Sequence, residues 1–174
     1  MDAGLAAVIA GAAGAGGAAL AAFATSLGLL RQAKMQGNQA HQQWLRDRQQ
    51  QAYEELLVAA DGVEHACRDW MDALRSGAGS DHPDPFLATL RAQSRNLRAA
   101  THRTVLIADT TTGGGARGLQ KAVITVSEKS LDVAHAHALN EPLPAPEELD
   151  RARDAARTAR TAFIDQARTA LRQK

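Results

Sequence analysis

Aromatic residues are scarce in this chain, at 3% of its 174 residues, and cysteine occurs once. Sheets are rich in aromatic and β-branched side chains, so this shortage, together with abundant alanine, favours close-packed helices. The single cysteine, Cys67, cannot form an internal disulfide, which argues against a small extracellular fold held together by disulfide bridges. The sequence therefore predicts an all-α protein in a reducing compartment.

A large net charge is also missing, because 20 basic residues are offset by 19 acidic ones, which leaves a formal net charge of +1. No overall field is present to concentrate a polyanion, as it is in many proteins that bind nucleic acid. Nucleic acid is therefore not an expected partner. The length suits one ordinary domain, since domains most often have roughly 100 to 150 residues.

The N-terminal segment from Ala3 to Leu30 contains no charged residue. A helix of this length rises about 1.5 Å per residue, enough to cross a hydrocarbon core of about 30 Å with some tilt. Residues 1–30 are therefore predicted to be a transmembrane anchor, which makes the chain a single-pass protein of the cell membrane. Basic residues such as Arg31 and Lys34 follow the segment, and cytoplasmic flanks carry this excess. The C-terminal body is therefore expected in the cytoplasm.

Two alternatives remain open for this segment. A cleavable signal peptide would end near Ala22-Phe23-Ala24, but such peptides normally begin with basic residues, and positions 1–4 have none. A buried helix of a soluble protein would usually show a polar side. Both alternatives fit the sequence less well than an anchor does.

Small residues recur every four positions along the predicted anchor, in Ala7-Gly11-Ala15-Ala19 and in Ala10-Gly14-Ala18-Ala22. Faces of this kind let two helix backbones approach closely in lipid. We therefore expect the anchor to associate with a second membrane helix, from another copy of the chain or from another protein. The residues predicted to carry this association are Ala7, Gly11, Gly14, Ala15 and Ala18.

Residues 31–51 are rich in glutamine and predict a polar helical stalk, which Gly37-Asn38 can interrupt. Behind it, residues 52–174 are predicted to form a helical bundle, because apolar residues recur there at intervals of three and four. The run from Thr110 to Gly115 has no apolar period and predicts a flexible turn. The predicted helices comprise residues 44–76, 85–109, 118–139 and 146–172.

None of these amphipathic helices can bury its apolar stripe alone. Four such helices joined by short connections most simply form an antiparallel four-helix bundle. The predicted architecture is thus an N-terminal transmembrane helix followed by an antiparallel four-helix bundle.

After the anchor come Trp44-Leu45-Arg46-Asp47-Arg48, Ala52-Tyr53 and Leu56-Leu57, and then three helices rich in alanine and arginine. This order of features, over nearly the whole chain, resembles uncharacterised small single-pass membrane proteins common in high-GC actinobacteria, with an Ala/Gly-rich anchor and a helical-bundle body. Those proteins usually have a short Gly-Pro break after the third helix, where this chain has Thr110 to Gly115. The resemblance implies no activity, cofactor or catalytic residue.

No pattern of residues in the chain predicts catalysis or metal binding. His135 and His137 are about 200° apart around a helix and cannot share one metal ion. Cys67 lies on an apolar stripe, where packing is its expected role. The glycine-rich run 113–118 lacks the lysine and hydroxyl residue that end a phosphate-binding loop. We therefore expect a protein that is not an enzyme and has no cofactor, metal site or small-molecule substrate.

Two helices carry arginines on one face, at helical spacing. Such stripes are usually solvated faces balanced by nearby acids, but they also suit contact with anionic lipid headgroups or an acidic partner. The candidate residues are Arg91, Arg95 and Arg98, followed by His102, on one helix, and Arg153, Arg157 and Arg160 on the last helix.

These observations together predict a membrane-tethered, non-enzymatic interaction or scaffold protein. Its expected partners are the lipid bilayer and a protein, or a second copy of the chain bound through the anchor. The alternative is a membrane-active effector, pore-forming or toxin-like, in which the Gly/Ala-rich helices of several copies assemble. A site assembled from distant segments would not be visible in a single sequence.

Overall fold

The computed structural model describes the backbone of residues 3–76, 84–139 and 141–172, and the side chains of these residues except 3–31, 33 and 84. Within that part the chain forms four α-helices and no β-strand, which confirms the predicted all-α class. The helices are α1 (Ala3–Arg75), α2 (Asp84–Ile107), α3 (Thr110–Ala138) and α4 (Pro146–Arg172).

The chain divides into two compact units, the first of which comprises Met1–Leu45. Its backbone is helical from Ala3 and continues through Gly37-Asn38, so the interruption predicted there is not observed. Its described side chains are exposed, and the His41 and Trp44 rings stack with centroids 6.0 Å apart. Among the residues whose side chains the structure describes, no helix is long and apolar enough to cross a membrane. The predicted anchor, residues 1–30, lies outside the described side chains.

The second unit, Arg46–Lys174, is a helical bundle. It begins inside the predicted stalk, because Gln49 is only 4% exposed and its amide nitrogen donates to the Ile107 carbonyl at 2.7 Å. The polar composition of residues 31–51 predicted an exposed stalk throughout. One of its glutamines, Gln49, is instead buried and joins the start of the bundle to the end of α2.

Contacts between residues far apart in sequence define the helix directions in the bundle. The Thr104 hydroxyl of α2 donates to the Ala52 carbonyl of α1 at 3.1 Å, while the Trp70 ring stacks on Phe86 at 4.5 Å. Position 52 therefore pairs with the end of α2 and position 70 with its beginning. The two helices run antiparallel.

The last helix closes the bundle against α1 and α3. The Tyr53 and Phe163 rings meet edge to face at 5.7 Å, and Met71 of α1 lines one pocket with Leu149 of α4, so α4 also runs antiparallel to α1. Leu149 follows Glu148, which accepts a hydrogen bond from Lys129 of α3 at 2.8 Å. This ion pair raises the pKa of Lys129 and lowers that of Glu148.

The core is built mainly from aliphatic and alanine side chains at helical spacing. Alanines on facing stripes allow the helices to pack closely, while a few larger side chains fill the centre. The largest apolar side chains that are fully buried are Leu56, Val63, Leu97, Leu119, Val123 and Phe163.

The helix α3 begins at Thr110, so the flexible turn predicted for Thr110 to Gly115 is wrong. Asp109 has extended backbone angles and accepts a hydrogen bond from the Thr112 backbone N–H at 2.8 Å, as an N-cap residue does. Gly113 is buried near Val105 of α2, after a connection of two residues, and a Cβ added at this position would make an ordinary van der Waals contact at 3.9 Å. The N-cap signal, an aspartate directly before a run of threonines, was present in the sequence.

We expect Asp109→Ala to destabilise the bundle by about 1 kcal/mol at neutral pH, the typical cost of losing an N-cap. The hydrogen bond from Thr112 holds the pKa of Asp109 below its usual range. Its contribution is therefore complete above about pH 3.9, where an unfolded aspartate titrates, and is lost as pH falls through the lower folded pKa. Urea unfolding at several pH values measures this.

Asp109→Asn is the matched control, since asparagine caps helices as well as aspartate does. It should retain most of the stability at pH 7 and remove the acid-dependent part. Equal losses for the alanine and asparagine variants would contradict the capping role.

Candidate functional site

One face of α2 presents Arg91, Arg95 and Arg98 to solvent. Their spacing of four and three residues places them on the same side of the helix. None of the three forms an ion pair with any residue that the structure describes, whereas Arg103 of α2 pairs with Glu55 of α1 at 3.4 Å. Because the sequence of α2 contains a single acidic residue, at its first position, this face keeps its positive charge.

These arginines border a groove between α2 and α3, which we call the α2–α3 groove. Its volume is about 390 Å³. Its lining is both apolar and polar, and only one acidic side chain is part of it. The residues that line it are Leu87, Leu90, Arg91, Ser94, Arg95, Arg98, Ile124, Ser127, Glu128 and Leu131.

The α3 wall of this groove was not among the sequence predictions. Ile124, Ser127, Glu128 and Leu131 follow the spacing i, i+3, i+4, i+7, so they share one face of α3. That spacing was visible in the sequence as a second stripe beside the buried one. The sequence alone did not show that this stripe of α3 lies next to the arginines of α2.

The arginine stripe predicted on α4 has a different environment. Arg153 lies 3.5 Å from the Asp150 carboxylate, and Arg157 lies 3.1 Å from that of Asp154. Both pairs are one turn apart on the same helix, where such pairs form readily. The charge of these two arginines is therefore balanced by acids of the same helix. This matches the alternative that the stripe is an ordinary solvated face.

Arg160, the third member of the α4 stripe, reaches α1. Its guanidinium lies 2.5 Å from the Asp61 carboxylate and 3.1 Å from that of Glu64. It therefore joins α4 to α1 and is not available to an external anion. A cavity of about 240 Å³ beside it is lined by Glu64, Cys67, Arg68, Val126, Arg153, Arg157 and Arg160.

Cys67 is 1% exposed, and burial is the main cause that raises the pKa of its thiol, with smaller opposing effects from Ser130 and Arg153. A raised pKa keeps the thiol protonated and poorly nucleophilic at neutral pH. His65, two residues away, is exposed and its Nδ1 lies 2.8 Å from the Asp61 carbonyl of its own helix. The arrangement is that of a packed thiol.

The remaining sequence candidates are not brought together. His135 and His137 are both exposed near the end of α3. Across the described ranges, no group of three or more histidine, cysteine, aspartate or glutamate side chains is placed to hold a metal ion. The glycines of run 113–118 lie within α3. The association residues predicted in the anchor, Ala7, Gly11, Gly14, Ala15 and Ala18, lie outside the described side chains.

Of the two predicted stripes, only the one on α2 borders an open groove with unpaired charge. That groove is the candidate functional site. Comparison of the chain with protein-family models, with curated proteins and with solved structures finds no significant match.

Proposed function

We propose that this protein is a membrane-tethered, non-enzymatic interaction protein. Residues 1–30 hold it in the cell membrane as a single transmembrane helix, and the cytoplasmic bundle binds another protein. The uncharged stretch from Ala3 to Leu30 and the basic residues that follow it support the anchor and its orientation.

The α2–α3 groove is the observation that carries the interaction role. Exposed charges on helical bundles are usually balanced by neighbours, as the α4 arginines are. On α2, by contrast, three neighbouring arginines border a groove with both apolar and polar lining, and none of them has an ion-pair partner among the described residues. Surfaces that bind other proteins combine such features. This supports binding of a partner by the bundle.

The anchor is proposed to contribute a second contact, within the membrane. Its small residues at four-residue spacing suit close approach of two helices. Gly11→Ile or Gly14→Ile would place a branched side chain in that contact while making insertion more favourable.

Anchoring can be tested with one added charge. We expect the full chain to remain in the membrane fraction after alkaline extraction, and Ala13→Arg to release a large part of it, because an arginine at the centre of a span costs about 2.5–3.5 kcal/mol. Gln36→Arg, which adds the same charge at an exposed position of the first unit, is the matched control and should stay in the membrane.

The orientation is tested on the same cells with a protease added outside. The bundle should be protected until the membrane is permeabilised. Recovery of the full chain in the soluble fraction, or removal of the bundle by external protease, would contradict the proposal. Leakage of liposomes caused by the purified full chain would favour the pore-forming alternative instead.

A further inference from the structure

The charge of the α2–α3 groove restricts what can occupy it. Arg91, Arg95 and Arg98 stand along one edge without ion-pair partners in the described part of the chain. The opposite wall contributes a single acid, Glu128. An occupant that neutralises the arginines needs several carboxylates or similar anions spaced along the groove, rather than one.

The shape of the groove is set by the helices α2 and α3 that line it. From Leu87 to Arg98 it extends about 16 Å, or three helical turns, at a rise of 1.5 Å per residue. Leu90 is 3% exposed, while Leu87, Ile124 and Leu131 are partly buried and keep apolar surface open to the groove. An occupant must therefore also present apolar groups over about three turns.

We infer that the α2–α3 groove binds an acidic amphipathic helix of a partner protein, an inference that rests on the proposed function. Its apolar face lies over Leu87, Ile124 and Leu131, and its acidic edge faces the arginines. Helices bind grooves of this kind through anchors at i, i+3, i+4 and i+7. The arginine spacing, i, i+4 and i+7, matches carboxylates spaced in the same way on a helix that lies alongside α2.

A flat anionic membrane fits these observations less well than a helix does. A bilayer surface contacts protruding side chains and does not reach the floor of a groove. It would also bring its negative charge against Glu128. In a helical partner, by contrast, a lysine or arginine on the edge opposite the carboxylates pairs with Glu128 and fixes the orientation.

The test uses the full chain in nanodiscs of phosphatidylcholine, which carry no net charge. The probe is a labelled synthetic helix of about four turns, with leucines on one face and glutamates along one edge. A peptide of the same composition in scrambled order is the control for unspecific attraction. Fluorescence anisotropy gives the dissociation constant of each peptide.

We expect the combined change Arg91→Glu, Arg95→Glu and Arg98→Glu to raise the dissociation constant of the amphipathic peptide at least about tenfold. The matched control is Arg151→Glu, Arg157→Glu and Arg168→Glu, which changes the net charge equally at exposed positions of α4 and should change the constant by less than about twofold. A peptide with lysine in place of glutamate should bind the triple Arg→Glu variant of α2 more tightly than it binds the unchanged chain.

Three results would overturn the inference. They are equal binding of the scrambled peptide, an equal loss of binding in the α4 control, and arginine-dependent binding to vesicles that contain phosphatidylserine without binding of the peptide. If the triple variant is not folded by circular dichroism, Arg95→Gln replaces it, with an expected loss of about threefold.

The outcome is separable from that of the proposed function. Failure of the peptide to bind while the full chain remains membrane-anchored overturns only the assignment of the groove. A chain that binds the peptide but is recovered in the soluble fraction keeps the groove assignment and contradicts the tether.

Discussion

Phe163→Ala is expected to lower the free energy of unfolding of the bundle by about 3–5 kcal/mol, the usual cost of deleting a buried aromatic side chain. Phe163 is 0% exposed and meets the Tyr53 ring edge to face at 5.7 Å, so its removal leaves a cavity where α4 packs on α1. Domains of this size have about 5–15 kcal/mol of stability in total. The variant should therefore unfold at much lower urea concentration, which circular dichroism measures directly.

Tyr53, whose ring contacts Phe163, provides a control for which we expect only a small loss of stability. The Tyr53 hydroxyl is buried and forms no well-aligned hydrogen bond with the described residues, although the Thr112 side chain lies near enough to act against the rise in its pKa. Burial is the main cause that raises the pKa of Tyr53, and the charge of Asp109 adds to it. Because an unpaired buried polar group gives no stability, Tyr53→Phe should cost less than about 1 kcal/mol. A loss as large as that of Phe163→Ala would contradict this packing arrangement.

The helices of the bundle follow largely from local sequence. Apolar residues such as Leu56, Val63 and Leu97 recur at helical spacing, and each is fully buried. Prediction failed at Thr110 to Gly115 because three glycines and no apolar period suggested a turn. There the N-cap Asp109 and the burial of Thr112 and Gly113 in the bundle outweigh the low helix propensity of glycine.

The candidate site was also predictable in part, because local spacing shows which residues share a helix face but not what packs against that face. Spacing alone places Arg91, Arg95 and Arg98 on one face. The ion pair of Arg153 with Asp150 could also be predicted, because the two residues are three positions apart on one helix. The partners of Arg160 could not be predicted from the sequence. The nearer of the two, Glu64, is 96 residues away, and only the packing of α4 on α1 brings it close. Only tertiary structure separates an arginine that joins two helices from one that faces solvent.

That distinction leads to a large expected effect at Arg160. Its side chain is 25% exposed and contacts two carboxylates of α1, those of Asp61 and Glu64. Arg160→Ala removes both contacts and leaves two like charges one helical turn apart, partly shielded from water. We expect a loss of about 1–2 kcal/mol in the free energy of unfolding, above the range of an exposed pair because of this partial burial. Urea unfolding at low ionic strength measures the loss.

Arg157→Ala is the matched control, because the Arg157 side chain is 79% exposed and, among the described residues, forms an ion pair with Asp154 of its own helix alone. Its loss should be about 0.5 kcal/mol or less. Arg160→Lys should fall between the alanine variant and the original chain, since an ammonium group cannot contact two carboxylates with the fork of a guanidinium. Added salt should reduce the Arg160→Ala effect less than that of an exposed pair, because screening is weaker where water is partly excluded. Equal losses for Arg160→Ala and Arg157→Ala would mean that the contacts of Arg160 with α1 add nothing beyond those of a surface arginine.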